Sequence, residues 1–302
     1  MTEVVVRDEV AGAELAEIKA LIDAAAARDG RVPVSEQGRL LLAGGAREGV
    51  RHLLLREGEV LLGYALLDGT DPVEAPSAEL VVHPAHRGRR LGYRLGEALL
   101  DASGHRLRIW AHGGLPAARH LARSLGLSKF RELRQMRRSL TDLRLPEARP
   151  AAGVRVRTFV PGKDEEAWLA VNAAAFAHHP EQGSLTLRDL KARMAEPWFD
   201  PAGFFLAVRG EGAEERLLGF HWTKVHPEER LGEIYVLGVA PEAQGLGLGR
   251  TLTTIGLTHL AEERGLPTAM LYVDADNTAA VRLYEGLGFR TWETDLMYRT
   301  ES

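Results

Sequence analysis

The sequence predicts two tandem copies of one α/β domain, each built on a mixed α+β sheet. Three observations carry this. The 302-residue length suits two domains of roughly 150 residues each. Short segments recur at a nearly constant offset of 156 to 162 residues: Leu62-Gly63-Tyr64 with Leu218-Gly219-Phe220, Val82-His83-Pro84 with Val239-Ala240-Pro241, Gly92 with Gly249, Leu125-Gly126-Leu127 with Leu287-Gly288-Phe289, and Met136 with Met297. Strand-like and helix-like patterns also follow one another in the same order in each copy. The seam is expected in Leu145-Pro146-Glu147-Ala148-Arg149-Pro150, giving domains 1–145 and 151–302.

Each copy opens on a short alternating strand, residues 4–7 or 154–158. An amphipathic helix follows. Leu15, Ile18, Leu21 and Ile22 recur at helical spacing in the first copy; Trp168, Leu169, Asn172 and Phe176 play that part in the second. Next comes a hairpin across a glycine-containing turn, 52–55 with 60–67, and 204–209 with 217–225. An apolar β-rich run, 80–82 or 234–239, leads through a glycine-rich turn into a long helix, 91–102 or 250–264. A strand (107–110; 269–273), a short helix ending at Gly126 or Gly288 and a last strand complete the copy.

Composition narrows the function classes. An apolar fraction of 45% and a charged fraction of 26% are ordinary for a globular protein, and a net charge of −4 gives no global reason to expect nucleic acid or an acidic membrane as partner. With no cysteine, disulfides, thiolate metal sites, iron–sulfur clusters and a cysteine nucleophile are excluded. Residues 1–9 lack the basic-then-apolar layout of a signal peptide, and no run of about 20 apolar residues is present to span a bilayer. The default expectation is a cytoplasmic monomer. His83-x-x-His86 and His178-His179 sit in no H-E-x-x-H helix, so they read as structural or solvated histidines and no metal is expected. No G-x-S-x-G elbow marks a serine nucleophile.

The strongest chemical signal is Gln244-Gly245-Leu246-Gly247-Leu248-Gly249-Arg250, between an apolar strand and a helix. Glycines let backbone N–H groups approach an anion, and a helix N-terminus adds partial positive charge. From these residues alone the segment is either a pyrophosphate cradle or a ligand-free turn. It lacks the G-x-G-x-x-G spacing of a dinucleotide site and the G-K-[ST] of a P-loop.

Gln244-x-x-Gly247-x-Gly249 after an apolar strand resembles the acyl-CoA pyrophosphate signature of the GNAT superfamily of N-acetyltransferases. The run Asn277-Thr278-Ala279-Ala280-Val281-Arg282-Leu283-Tyr284-Glu285-Gly286-Leu287-Gly288-Phe289 resembles that family's last helix and following strand. Further segments, among them Val34-Ser35-Glu36-Gln37 and Trp198-Phe199-Asp200-Pro201, are similar to a tandem-domain branch, and the similarity spans nearly the whole chain. The resemblance implies two tandem GNAT-type domains with acetyl-CoA as cosubstrate. It implies that Leu237, Gly238 and Val239 lend backbone to pantetheine and a main-chain N–H to the thioester carbonyl. Gln244, Gly245, Leu246, Gly247, Leu248, Gly249 and Arg250 would hold the pyrophosphate, with Asn277, Thr278, Ala279, Ala280, Val281 and Arg282 as further cosubstrate contacts. Tyr284 would protonate the departing thiolate. Glu233 would be the general base, directly or through water, because an α-amine with a pKa of about 7.7 to 8.0 is mostly protonated at neutral pH. The acceptor implied is the cysteinyl amine of a cysteinyl-glucosaminyl-inositol pseudodisaccharide, held by Glu36, Glu181, Lys224, Glu233 and Tyr272. Glu36 lies in the first copy, so the acceptor site is expected between the copies.

The repeat offsets set Pro76 opposite Glu233 and Ala122 opposite Tyr284, so the first copy is expected to be non-catalytic. Its loop, Arg87-Gly88-Arg89-Arg90-Leu91-Gly92, carries Arg90 where the second copy has Gly247. That arginine either pairs a phosphate or fills the loop. In the family pattern both halves contact acetyl-CoA, which adds Leu80, Val81, Val82, Arg87, Gly88, Arg89, Arg90, Leu91 and Gly92 as cosubstrate contacts. Read singly, Glu36 and Glu181 are solvated acids, Lys224 a surface lysine, and Tyr272 and Tyr284 core fillers. Two other functions stay open: a tandem acetyltransferase for another amine (an aminoglycoside, a small metabolite or a protein N-terminus), and a non-enzymatic acyl-CoA sensor. Glu233 and Tyr284 together in one copy argue against the sensor.

Overall fold

The computed structural model describes residues 2–301 except 142, 143, 146, 178 and 179, and the backbone alone of 180, 181 and 213. The His178-His179 pair and Pro146 of the expected seam therefore lie outside the described residues. In chain order the elements are β1 (Thr2–Arg7), α1 (Gly12–Asp29), α2 (Glu36–Ala43), β2 (Val50–Glu57), β3 (Val60–Asp68), β4 (Ser77–Val82), α3 (Leu91–Ala102), β5 (Arg108–Ala111), α4 (Pro116–Ser124) and β6 (Ser128–Ser139). Then follow β7 (Val154–Thr158), α5 (Glu165–Ala175), α6 (Pro180–Gly183), α7 (Leu187–Met194), β8 (Phe204–Arg209), β9 (Arg216–His226), β10 (Leu231–Val239), α8 (Leu248–Thr258), β11 (Thr268–Asp274), α9 (Thr278–Gly286) and β12 (Arg290–Arg299). Among the described residues no helix is long and apolar enough to cross a membrane.

The chain packs as two units, Met1–Leu133 with Glu293–Ser302, and Arg134–Trp292. The described residues of the expected seam, 145 and 147–150, fall inside the second packing unit. The packing boundary differs from the repeat boundary because the end of each repeat's last strand is built into the other unit's sheet.

In the first unit the sheet order is β1-β2-β3-β4-β5-β12. Strand alternation sorts its apolar residues to two faces. Leu53, Leu55 and Ala65 pack with Leu91, Leu95 and Leu99 of α3. Leu54, Tyr64 and Leu66 pack with Ile18, Leu21, Ile22 and Ala25 of α1, and α1 ends at Gly30 in the left-handed conformation. The pattern reading had no counterpart for α2. The Ser35 hydroxyl caps it, accepting from Gly38 N–H at 3.1 Å.

In the second unit the order is β6-β11-β10-β9-β8-β7. One face of this sheet carries an aromatic core. Trp168 of α5 is fully buried, edge-on to Phe204, Phe220 and Trp222, and Phe204 stacks on Trp222 with centroids 4.5 Å apart. The other face meets α8 and α9 through Ile234, Leu257, Leu271, Val281 and Phe289. Helix α8 begins at Leu248, two residues earlier than the pattern suggested, because Gly247 takes the left-handed N-cap geometry.

Candidate active site

The glycine loop sits at the start of α8. Gly245 and Gly247 have φ of +82° and +73°, a region that disfavours side chains. A Cβ added at either would meet nothing within 4 Å, so the loop backbone is open. Gly247 is the N-cap and no side chain caps the helix, so the first-turn N–H groups stay directed outward. Such a nest beside a helix N-terminus suits an anion such as pyrophosphate. Leu248 anchors the loop in the core, and Arg250 is exposed.

Ahead of this loop, β10 and β11 part. They pair in parallel from Leu231 with Thr268 to Ile234 with Leu271, yet β10 runs on to Val239 and β11 to Asp274. The β10–β9 register shifts between Ile234 and Val236, so Tyr235 is the extra residue of a bulge. Past it, the β11-facing edge of Val236 to Val239 has no ladder partner among the described residues, while β9 still pairs the other edge. An extended ligand can take the vacant main-chain positions as a strand would. Gly238 is a fixed requirement here, since a Cβ would meet the Phe220 ring at 2.7 Å.

Glu233 and Lys224 are directly opposite each other on β10 and β9, so their side chains leave the same face. Both are 7% exposed. The Lys224 ammonium lies over Trp198 at 4.3 Å and Tyr235 at 5.1 Å, and Arg193 Nε donates to the Tyr235 hydroxyl at 3.0 Å. The Glu233 carboxylate accepts from His226 Nε2 at 2.7 Å. Glu233 precedes Leu237 by four residues, about 13 Å of strand. Tyr284 is 7% exposed on α9, edge-on to Phe289 at 5.8 Å. Burial pushes its phenol up, and its hydroxyl has no hydrogen-bond partner among the described residues. It stays a neutral O–H donor.

The other expected residues divide. Tyr272 is no core filler: it is 42% exposed on β11, and its hydroxyl accepts from Gln135 at 2.8 Å. Glu36 is the first residue of α2 in the first unit, and Glu181 is on α6, its side chain outside the described part. On α9 the Asn277 side chain caps the helix by accepting from Ala280 N–H, Thr278 and Ala279 are exposed, and Val281 faces the core.

The first unit holds the same parting of strands. β4 and β5 pair only at Ser77 with Arg108 and Ala78 with Ile109. Beyond that a cleft of about 690 Å3 opens, walled by Leu80, Val81, Val82, Arg87, Gly88 and Arg90 among others. Arg89 is not on its wall, because its guanidinium reaches Glu57 at 3.1 Å. Arg87 is held by Asp29 through two bonds of 2.7 Å, which lowers the Asp29 carboxyl. Arg90 has φ +59° and serves as the N-cap of α3, reproducing the backbone of Gly247. His112, also on the wall, is gripped by Glu79 at 2.7 Å and Asp295 at 3.2 Å. Burial opposes its charge, but the hydrogen bonds it donates to Asp295 and Glu79 and their negative charges outweigh it and raise its pKa to about 10. Periodicity had no means of finding the Glu79–His112–Asp295 cluster or the His226–Glu233 pair, since both join separate strands.

Comparison with known proteins gives one answer. The profile of the acetyltransferase (GNAT) family matches residues 20–127 and 168–289. A protein of Streptomyces avermitilis named mycothiol acetyltransferase is 70% identical over 285 residues, covering 94% of this chain and 91% of that one. A protein of the same name from Thermobispora bispora is 57% identical, covering 93% and 94%. Among solved structures, a tandem GNAT protein from the clavulanic acid biosynthesis pathway superposes with a TM-score of 0.66 at 16% identity, covering 100% of this chain and 99% of that one; this likeness concerns fold alone.

Proposed function

The chain belongs to the acetyltransferase (GNAT) family, and we propose that it transfers the acetyl group of acetyl-CoA to the cysteinyl amine of cysteinyl-glucosaminyl-inositol, giving mycothiol and CoA. The observation that carries this is the gathering, in the second unit, of an open glycine loop, an unpaired β10 edge, Glu233 facing Lys224, and a buried neutral Tyr284. The relatives named mycothiol acetyltransferase support the choice of acceptor.

The roles follow from this arrangement. The backbone from Gly245 through the first turn of α8, with Gln244 and Arg250, holds the pyrophosphate. Leu237, Gly238 and Val239 bind pantetheine, and a main-chain N–H there polarises the thioester carbonyl. Glu233 receives a proton from the acceptor's ammonium, freeing the nitrogen lone pair to attack the carbonyl carbon. As the carbon–sulfur bond breaks, Tyr284 O–H delivers a proton to the sulfur, and the proton that the new amide nitrogen sheds restores the phenol. No covalent enzyme intermediate is needed, in keeping with a chain that has no cysteine. Lys224, Tyr272 and Glu181 of the second unit bind the polyhydroxylated acceptor. The first unit binds acetyl-CoA along Leu80, Val81 and Val82, with Arg90 pairing a phosphate, and performs no chemistry. The test is turnover of the purified chain with the synthetic cysteinyl pseudodisaccharide against a panel of aminoglycosides, small amines and peptide N-termini, with the acetylated product identified by mass. Acetylation of the panel alone would replace this reading with a tandem acetyltransferase for another amine.

A further inference from the structure

We propose that His226 is the positioning residue for the base Glu233. This rests on the reading of Glu233 given above. His226 ends β9, where the chain turns through Pro227 and the exposed Glu228, Glu229 and Arg230 into β10. Its cross-strand partner is Leu231, which makes it the diagonal neighbour of Glu233 on the same face. From there Nε2 reaches Glu233 Oε2 at 2.7 Å. One carboxylate oxygen is thereby committed, and Oε1 is left outside this bond.

The neighbours explain why such a hold is needed. Lys224 stands on the rung directly opposite Glu233, so a carboxylate free to swing could turn toward that ammonium and away from the acceptor. Instead the ammonium lies over the Trp198 and Tyr235 rings and the carboxylate is drawn to the imidazole. On the β11 side the register partner of Glu233 is the apolar Met270. The pair is also kept or lost together. At the offset of 156 that matches Gly63 with Gly219, Thr70 stands opposite His226 and Ser77 opposite Glu233, so the first copy has neither partner.

The experiment compares His226→Ala, His226→Gln and Glu233→Gln in the full chain, using steady-state turnover with acetyl-CoA and the cysteinyl pseudodisaccharide. A glutamine amide places an N–H donor close to where Nε2 stands. The expected result is a loss of tenfold or more in kcat for His226→Ala with KM for acetyl-CoA unchanged, and recovery of most of that loss in His226→Gln. Thermal unfolding of each variant, read alongside, keeps a folding defect apart from a kinetic one. Wild-type kcat in His226→Ala, or a loss that glutamine does not recover in a protein of wild-type stability, overturns the positioning role. Full turnover in Glu233→Gln instead overturns the base assignment itself, whereas an inactive Glu233→Gln beside an unimpaired His226→Ala removes the positioning role alone.

Discussion

The two glycine loops have one backbone and different side chains. Gly88 and Gly245 share a φ of +82°, and the next left-handed position is Arg90 in one unit and Gly247 in the other, each an N-cap without a side-chain cap. An arginine there costs about 1 kcal/mol that glycine would not. The first unit bears this strain and still keeps an open cleft, with the Arg90 residue on its wall. The difference teaches that both copies keep the left-handed loop backbone while the side chains on it diverge. The proposed acid and base are side chains that only the second copy has: the strand registers set Ser77 beside Asp68 where they set Glu233 beside Lys224, one residue from the Pro76 that the plain offset gave, and Ala122 stands against Tyr284.

That contrast can be broken experimentally, starting where the effect is largest. Replacing Tyr284 by Phe should lower kcat about 100-fold or more, the usual scale of general-acid catalysis, while leaving KM for acetyl-CoA unchanged. Because burial raises the phenol above its ordinary range, wild-type kcat should show no alkaline loss from Tyr284 ionisation up to pH 10; unchanged turnover in the variant would remove the acid role. Gly247→Arg writes the first unit's loop into the second. It should fold with about 1 kcal/mol less stability, measured by denaturant unfolding, and raise KM for acetyl-CoA about tenfold. A wild-type KM would mean that the loops are interchangeable.

The first unit should respond in stability rather than in rate. His112→Ala takes the imidazolium from between the buried Glu79 and Asp295, leaving Asp295 only the longer pair with Arg31, a change worth about 3 kcal/mol, with kcat unchanged. The sign of the pH dependence follows from the two shifts. His112 is raised from 6.5 to about 10, so its contribution is complete below about pH 6.5 and is lost as pH rises through about 10. Asp295 is lowered despite burial, chiefly by its bond to His112, so its contribution is lost only as pH falls below the ordinary carboxylate range. Wild-type unfolding free energy should decline from pH 6.5 to 10, and His112→Ala should flatten that decline. The smallest effect is expected from Arg90→Gly. Relief of backbone strain and the greater freedom of the unfolded chain oppose each other, for a net change under about 1 kcal/mol at unchanged kcat.

Much of this was legible because it is local. Helix α3 was expected at 91–102 and is found there, since its apolar spacing is strict and a glycine-rich turn marks its start. Strand β8 was likewise bounded by its flanking turn. Helix α2 was not, because eight residues are too few for a periodic signal and its stability comes from the Ser35 cap and from packing. The Tyr235 bulge was invisible, as it exists only in the register with β9. Nor could the repeat seam reveal that β12 pairs with β5, because strand pairing across nearly two hundred residues leaves no periodic trace. The His226 and Glu233 side chains are seven residues apart in sequence, a spacing with no meaning until a hairpin folds it.

The division of labour is tested most directly by the double variant Glu233→Gln with Tyr284→Phe. It should be assayed for N-acetylated product by mass spectrometry, since the proposed acceptor's own thiol would obscure a thiol-based readout of CoA. The expected result is turnover at or near background with a wild-type unfolding profile. Substantial turnover in that folded protein would put the chemistry in the first unit and contradict the assignment.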